Sequence, residues 1–284
     1  MTLSAIQLGN DFDFAIATDG DDIITYDALP LTQQQQLAAS VGIDAFVLKV
    51  GNDTGIDNNA ERIYFGNQGN DSLFGNGGDD TLAAGRDNDF VSGGDDDDLV
   101  FGNLGDDILL GGDGEDTLFG GQNNDWLYGQ EDEDFLSGDR GNDTLNGGGD
   151  DDTLVGGDGN DVLSGNDDDD LILGGFGVDD MRGGEGDDTL IFRSQDAVTD
   201  ILDADAAIDF DFDDDILAVN FNDYALDDSV DLSNLLSFNG ENGPEVDTVV
   251  RIGQTGPIVG VVVDITARDL EERMRSISIP ELGV

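Results

Sequence analysis

The 284-residue chain sets 66 Asp and Glu against 10 Lys and Arg, a net charge of −56, which excludes DNA and RNA as partners because they require a basic surface to displace condensed counterions. With no Cys and no His, disulfides, zinc–thiolate centres, imidazole ligands and Ser–His nucleophile pairs are excluded too. Carboxylate and carbonyl oxygens are the abundant donors left, and hard oxygen suits calcium.

The N-terminus, "MTLSAIQLGNDFDFAIATDG", has neither the basic start nor the apolar run of a cleaved signal peptide, so an export address must lie elsewhere. No stretch of about 18 apolar residues occurs, so no membrane span is expected. "DGDDIIT", 19–25, looks like a shortened copy of the unit that fills the middle of the chain, with Asp22 in the phase of its aspartate. "TQQQQLAAS" reads as a short helix, "AFVLKV" as a strand, and "RIYFGN", 62–67, as one more strand ahead of the array. Residues 1–65 are read as an N-terminal cap that hides the end of a core.

From Gly66 to Ile191 the sequence divides into fourteen consecutive nonapeptides without insertion or deletion. The sixth position is always Asp: Asp71, Asp80, Asp89, Asp98, Asp107, Asp116, Asp125, Asp134, Asp143, Asp152, Asp161, Asp170, Asp179 and Asp188. The eighth is always apolar: Leu73, Leu82, Val91, Val100, Leu109, Leu118, Leu127, Leu136, Leu145, Leu154, Leu163, Ile172, Met181 and Leu190. The first is Gly except at Ala84. A disordered acidic tail has no reason to keep an apolar residue in such phase, so the segment is an ordered repeat.

Each unit reads as a six-residue turn followed by a three-residue strand. Glycines at positions one, two and four are expected to supply positive φ, with Asp or Asn as the next-best tenants at four: Asp87, Asp96, Asn123, Asp132, Asp150 and Asp168. Strand alternation points position eight inward and seven and nine outward. Two strands per coil, one in each of two parallel sheets, close a flattened solenoid every eighteen residues. The tenants of position four also suggest a 36-residue superunit, since "GRDNDF" echoes "GQNNDW".

Units two apart share an edge, which puts their aspartates ~4.8 Å from each other. At an effective dielectric near 20 each such pair repels by roughly 3.5 kcal/mol, so the rows need a counter-ion. Metal binding is then part of folding, and calcium, with six or more flexible oxygen ligands, fits better than octahedral magnesium.

"GGDGNDVLS" (156–164) and "GGDGEDTLF" (111–119) match the unit G-G-x-G-x-D-x-U-x at every fixed position. In this the chain resembles the repeats-in-toxin (RTX) family, the hemolysin-type calcium-binding repeat. The resemblance implies an all-β fold: a right-handed parallel β-roll with each calcium between two stacked turns. The ligands implied are the fourteen sixth-position aspartates and turn carbonyls, an interior Asp bridging successive ions, for at most about twelve sites.

Residues 192–284 are read as a C-terminal cap. "DAVTDILDADAAIDFDFDDDILAV" resembles the segment that ends the roll in this family. "DFDFDDD" is a weak EF-hand match, lacking the loop's Gly and terminal Glu. "DTVVRIG" and "PIVGVVVDIT" read as a hairpin around "QTG", and "ARDLEERMRS" as a short amphipathic helix. The resemblance further implies an uncleaved C-terminal signal for type I secretion, with simple capping as the alternative.

The outward positions are more apolar than a solvated sheet face: Phe74, Phe90, Ile108, Leu110, Trp126 and Tyr128 on one side. The other side has Leu99, Phe101, Phe119, Phe135, Val155, Leu171, Leu173 and Ile191. One face is expected to be covered by the terminal segments, the other to meet a protein or glycan partner or a second copy. Outward Thr is interrupted by aromatics, which argues against an ice-binding ladder.

The expected function is that of a non-enzymatic, secreted, calcium-binding protein. It stays unfolded where calcium is scarce and folds outside the cell as a structural, adhesive or surface-associated module. The competing readings are the calcium-stabilised part of an enzyme, a small carbohydrate-active enzyme, and a glycan binder using Trp126 and Tyr128. A glycosidase needs two acids across a cleft, whereas these acids keep metal phase.

Overall fold

The computed structural model describes residues 4–7, 13–16, 23–25, 43–48, 50–56 and 61–193, together with strands at 206–207, 216–220, 236–239, 246–251 and 258–262. The readings of a helix at "TQQQQLAAS", a helix at "ARDLEERMRS" and a ligand-phase Asp22 lie outside these residues. Every regular element among the described residues is a strand, and no helix there is long and apolar enough to cross a membrane. The chain divides into two compact units, Met1–Asp143 and Thr144–Val284.

In the first unit one sheet runs Asp13–Ile16, Ile43–Val47, Ile63–Gln68, Thr81–Arg86, Leu99–Leu104, Thr117–Gln122 and Phe135–Arg140, all parallel. Ser4–Gln7 adds an antiparallel edge to Asp13–Ile16. The other sheet runs Ile23–Thr25, Thr54–Ile56, Ser72–Gly77, Phe90–Asp95, Ile108–Asp113 and Trp126–Glu131, also parallel. Through the repeats each strand pairs with the one eighteen residues on, as in Val100↔Leu118 and Leu109↔Leu127. Consecutive strands therefore alternate between the sheets, and one coil is two nonapeptides.

The second unit repeats the scheme. Thr153–Asp158, Leu171–Phe176, Thr189–Arg193 and Ile216–Asn220 pair in parallel, as do Thr144–Gly148, Val162–Asp167, Asp180–Glu185 and Ala206–Ala207. Ile258–Val262 joins Ala206–Ala207 and then turns the sheet antiparallel through Val246–Arg251 and Leu236–Asn239. The hairpin read from "DTVVRIG" and "PIVGVVVDIT" is the pair Val246–Arg251 and Ile258–Val262.

Position eight faces inward throughout: from Leu73 to Leu190 none of these side chains is more than 1% exposed. Fully burying one Leu-sized side chain is worth about 1.5–3 kcal/mol, so these rows hold the two sheets of each unit together.

Two local expectations are corrected. Full-length strands cover six residues rather than three, positions seven to nine and then one to three of the next unit, as in Thr117–Gln122. The chain keeps pairing past the first glycine, whose φ is not positive, and on through position two, where it is. Positive φ occurs at positions two and four of all fourteen units, and at position one in none. The non-glycine tenants of position four, Asp87, Asp96, Asn123, Asp132, Asp150 and Asp168, have φ between 68 and 82°, where Asp and Asn are tolerated best after glycine.

The outward rows are only partly open. Phe101 stacks on Phe119 at 5.3 Å, Phe119 meets Phe135 at 5.8 Å, and Phe74 meets Phe90 at 5.6 Å. Trp126 and Tyr128 stay exposed, whereas Ile191, read as outward-facing, is buried.

Candidate metal centre

The two left-handed residues fold each turn so that its sixth residue enters the next strand with its carboxylate directed back over the turn. All fourteen sixth-position aspartates are buried, none more than 4% exposed. Burial of this kind requires partners, and the neighbouring coil supplies the first. In the first unit, backbone N–H groups of Asp71, Asp89, Asp107 and Asp125 donate to Oδ1 of Asp89, Asp107, Asp125 and Asp143 at 2.7–2.8 Å. On the other edge, Asp80, Asp98 and Asp116 donate to Asp98, Asp116 and Asp134, each at 2.7 Å. In the second unit, Asp152 donates to Asp170, Asp170 to Asp188 and Asp161 to Asp179, each at 2.9 Å. Two rows of stacked carboxylates thus run along each unit, one per edge.

The turns are stitched at two further levels. Position-four acids accept from the preceding coil: Gly69, Gly78 and Gly114 N–H donate to Oδ2 of Asp87, Asp96 and Asp132 at 3.0–3.2 Å. Position-five side chains accept from the following coil, as Asp97 Oδ1 does from Glu115 N–H and Asp169 Oδ1 from Asp187 N–H. Asp87, Asp96 and Asp132 therefore both occupy positive φ and cap a backbone donor.

The second oxygen is what the protein itself leaves unsatisfied. Oδ2 of Asp71, Asp89, Asp98, Asp107, Asp116, Asp125 and Asp170 is buried and has no hydrogen-bond partner. A buried unsatisfied polar group costs about 1–3 kcal/mol, and more when charged. The strain is visible in the ionisation. Burial pushes Asp89, Asp98, Asp125 and Asp170 up to about 8, Asp116 and Asp143 to about 7, and Asp71 and Asp107 to about 6. The backbone hydrogen bond at Oδ1 opposes that shift, and neighbouring carboxylates add to it. These groups are held where a proton or a cation must join them.

Glycine at position one serves this oxygen. A Cβ on Gly111 would lie 2.3 Å from Asp116 Oδ2 and 2.8 Å from the Gly129 carbonyl; on Gly102, 2.5 Å from Asp107 Oδ2 and 2.6 Å from the Gly120 carbonyl. The missing methyl is the room into which the carboxylate and the next coil's carbonyl turn. Position-four carbonyls approach as closely, the Asp87 oxygen lying 1.9 Å from a Cβ placed on Gly105.

No group of three or more carboxylates converges on one point among the described residues. Any ion in a row must therefore draw on backbone carbonyls as well as carboxylates. That donor set, anionic and carbonyl oxygen with neither nitrogen nor sulfur, is the one calcium takes. The residues present fit it.

Sequence reasoning found all fourteen buried aspartates but passed over two residues in the same phase, Asp53 and Arg62. Asp53 N–H donates to Asp71 Oδ1 at 2.7 Å and Arg62 N–H to Asp80 Oδ1 at 2.6 Å. The signal that could have found them is the eighteen-residue offset, counted back past the last well-formed unit.

Comparison with known families agrees with this geometry. The family model described as the RTX calcium-binding nonapeptide repeat (4 copies) matches residues 63–91, 92–127, 119–154, 128–163 and 155–190. No curated protein matches the chain. Residues 63–190 therefore carry RTX calcium-binding nonapeptide repeats, and the chain is a calcium-binding repeat protein with a parallel β-roll fold.

Proposed function

We propose that the chain is a secreted protein whose folding is coupled to calcium and which serves outside the cell as a structural, adhesive or surface-associated module. The observation that supports this reading is the buried carboxylate rows of each unit, in which Oδ2 of Asp71, Asp89, Asp98, Asp107, Asp116, Asp125 and Asp170 lacks a hydrogen bond. Without a cation, a chain of net charge −56 has to bring those groups together against their own repulsion. Where calcium is scarce the chain stays open and suited to export; where calcium is abundant the aspartates Asp71 to Asp188 take it up, and ordering follows binding. The C-terminal segment's likeness to the segment that ends the roll in family members supports type I export.

Circular dichroism in chelator and after calcium addition tests the coupling. A coil-like spectrum turning to β-structure is expected, and equal order in both conditions would refute it. Calorimetric titration gives the number of ions, for which the fourteen nonapeptides of the sequence suggest up to about twelve. Export is tested by expressing the chain with a type I secretion apparatus and assaying the medium, with and without residues 192–284. Equal retention inside the cell would count against it.

A second reading, glycan binding, is favoured by the exposed Trp126 and Tyr128, which leave the same strand on the same face. Flat aromatic rings of this kind stack on sugars. Glycan-array binding lost on Trp126→Ala would support it, and an array without signal would remove it.

A further inference from the structure

Eighteen residues before Asp71 stands Asp53, and eighteen before Asp80 stands Arg62. Both precede the first residue matched by the family. Yet the backbone treats "VGNDTGI", 50–56, as part of another unit of the roll. Thr54–Ile56 pairs in parallel with Ser72–Gly77, and Ser72 N–H donates to the Asp53 carbonyl at 2.9 Å, as Phe90 N–H does to Asp71 at 3.0 Å. Gly51 has the position-four conformation, φ 147°, and its N–H donates to the Gln68 carbonyl at 2.9 Å, as that of Gly105 does to Gln122. Asn52 Oδ1 accepts from Asn70 N–H at 3.1 Å, the position-five stitch. Asp53 itself is 1% exposed.

The unit escapes the nonapeptide pattern because its eighth residue is Gly55. The inward slot is filled from the facing sheet by Tyr64, fully buried, whose ring carbons lie 3.0 and 3.1 Å from where a Cβ on Gly55 would stand. A glycine and a tyrosine divide the volume that two leucines share further along. Close packing needs that volume filled but is indifferent to which strand fills it.

We infer that Asp53 adds a calcium site to the roll, in the gap between Asp53 and Asp71, and that Arg62 closes the other edge so that the gap between Arg62 and Asp80 takes no ion. The Asp71 carboxylate, 2% exposed, spends Oδ1 on Asp53 N–H and keeps an Oδ2 without a hydrogen bond, the same arrangement as in the gaps between recognised repeats. Arg62 holds the sixth-position phase on the second edge with a fixed positive charge, its guanidinium donating to the Glu61 carbonyl at 3.0 Å. A guanidinium has no acceptor with which to ligate a cation and repels one nearby. The two edges of the roll therefore begin differently: one with an added site, the other with a built-in cation.

This inference rests on the proposed calcium-binding rows, and ion counting by native mass spectrometry on the full chain at saturating calcium separates the two. A parent chain that binds no calcium sinks the proposed rows themselves. With a parent that does bind it, Asp53→Asn is expected to carry one ion fewer and Arg62→Asp one more. An unchanged count in Asp53→Asn overturns the added site. A loss of several ions there does so equally, since it would make Asp53 a general structural contact. An unchanged count in Arg62→Asp overturns the closed edge.

Discussion

Replacing Asp116 by Asn should move the protein in opposite directions with and without calcium. Asp116 Oδ1 accepts from Asp98 N–H, and Asp116 N–H donates to Asp134 Oδ1, both at 2.7 Å. Asn keeps the size and the Oδ1 acceptor, so this ladder survives and only the charge and the identity of the second atom change. In the metal-free fold, burial pushes the Asp116 carboxyl up to about 7 from 3.8. A folded-state value raised above the unfolded one means that stability is fully present below about pH 4 and is lost as the pH climbs to about 7. Asn does not titrate. In chelator the variant should therefore match the parent near pH 4 and exceed it at pH 7 by about 1–3 kcal/mol, the cost of a buried charged oxygen without a partner. In calcium the sign reverses. Asp116 borders two gaps, and losing an anionic ligand should weaken binding at each by at least about tenfold, or about 1.4 kcal/mol. Far-ultraviolet circular dichroism reads both arms. The pH at which β-structure is lost in chelator should rise, and the calcium concentration for half-ordering at pH 7.5 should rise too. A variant less ordered than the parent in chelator at pH 7, or with an unshifted calcium midpoint, would refute the reasoning.

Calcium addition at pH 7 in weakly buffered solution should leave the pH nearly flat, because in the unfolded chain the aspartates keep their ordinary value near 3.8 and are already ionised; a large proton release would show that the metal-free chain is folded, with burial pushing Asp89, Asp98, Asp125 and Asp170 up to about 8. Leu127→Ala, at a fully buried position, should cost about 3–5 kcal/mol in calcium-saturated melts while leaving the ion count unchanged. At Asp132, φ 71°, Gly and Ala both lose the bond from Gly114 N–H, but only Ala meets the left-handed penalty of about 1–2 kcal/mol, so Ala should melt lower than Gly; equal melting temperatures would remove the backbone argument. Trp126 should remain open to acrylamide quenching in the calcium-bound protein, and protection would show that its face is covered.

The nine-residue rhythm was enough to read the parallel roll, the inward row from Leu73 to Leu190 and the row of aspartates, because those follow from strand alternation and turn chemistry within a single unit. Stacking decided what depends on residues eighteen apart. Glycine at position one could be taken for a conformational choice until Asp116 Oδ2 and the Gly129 carbonyl were found in the space that a methyl on Gly111 would need. The aspartates could be expected to face one another across a gap, but only the stacked coils show residues such as Asp116 giving Oδ1 to the neighbouring backbone and keeping Oδ2 without a hydrogen bond. Asp53 was invisible to the pattern because Gly55 and Tyr64 exchange volume across the core, a compensation between two sheets that no local window contains. Periodicity within a unit is written in the chain; complementarity between coils exists only once they are stacked.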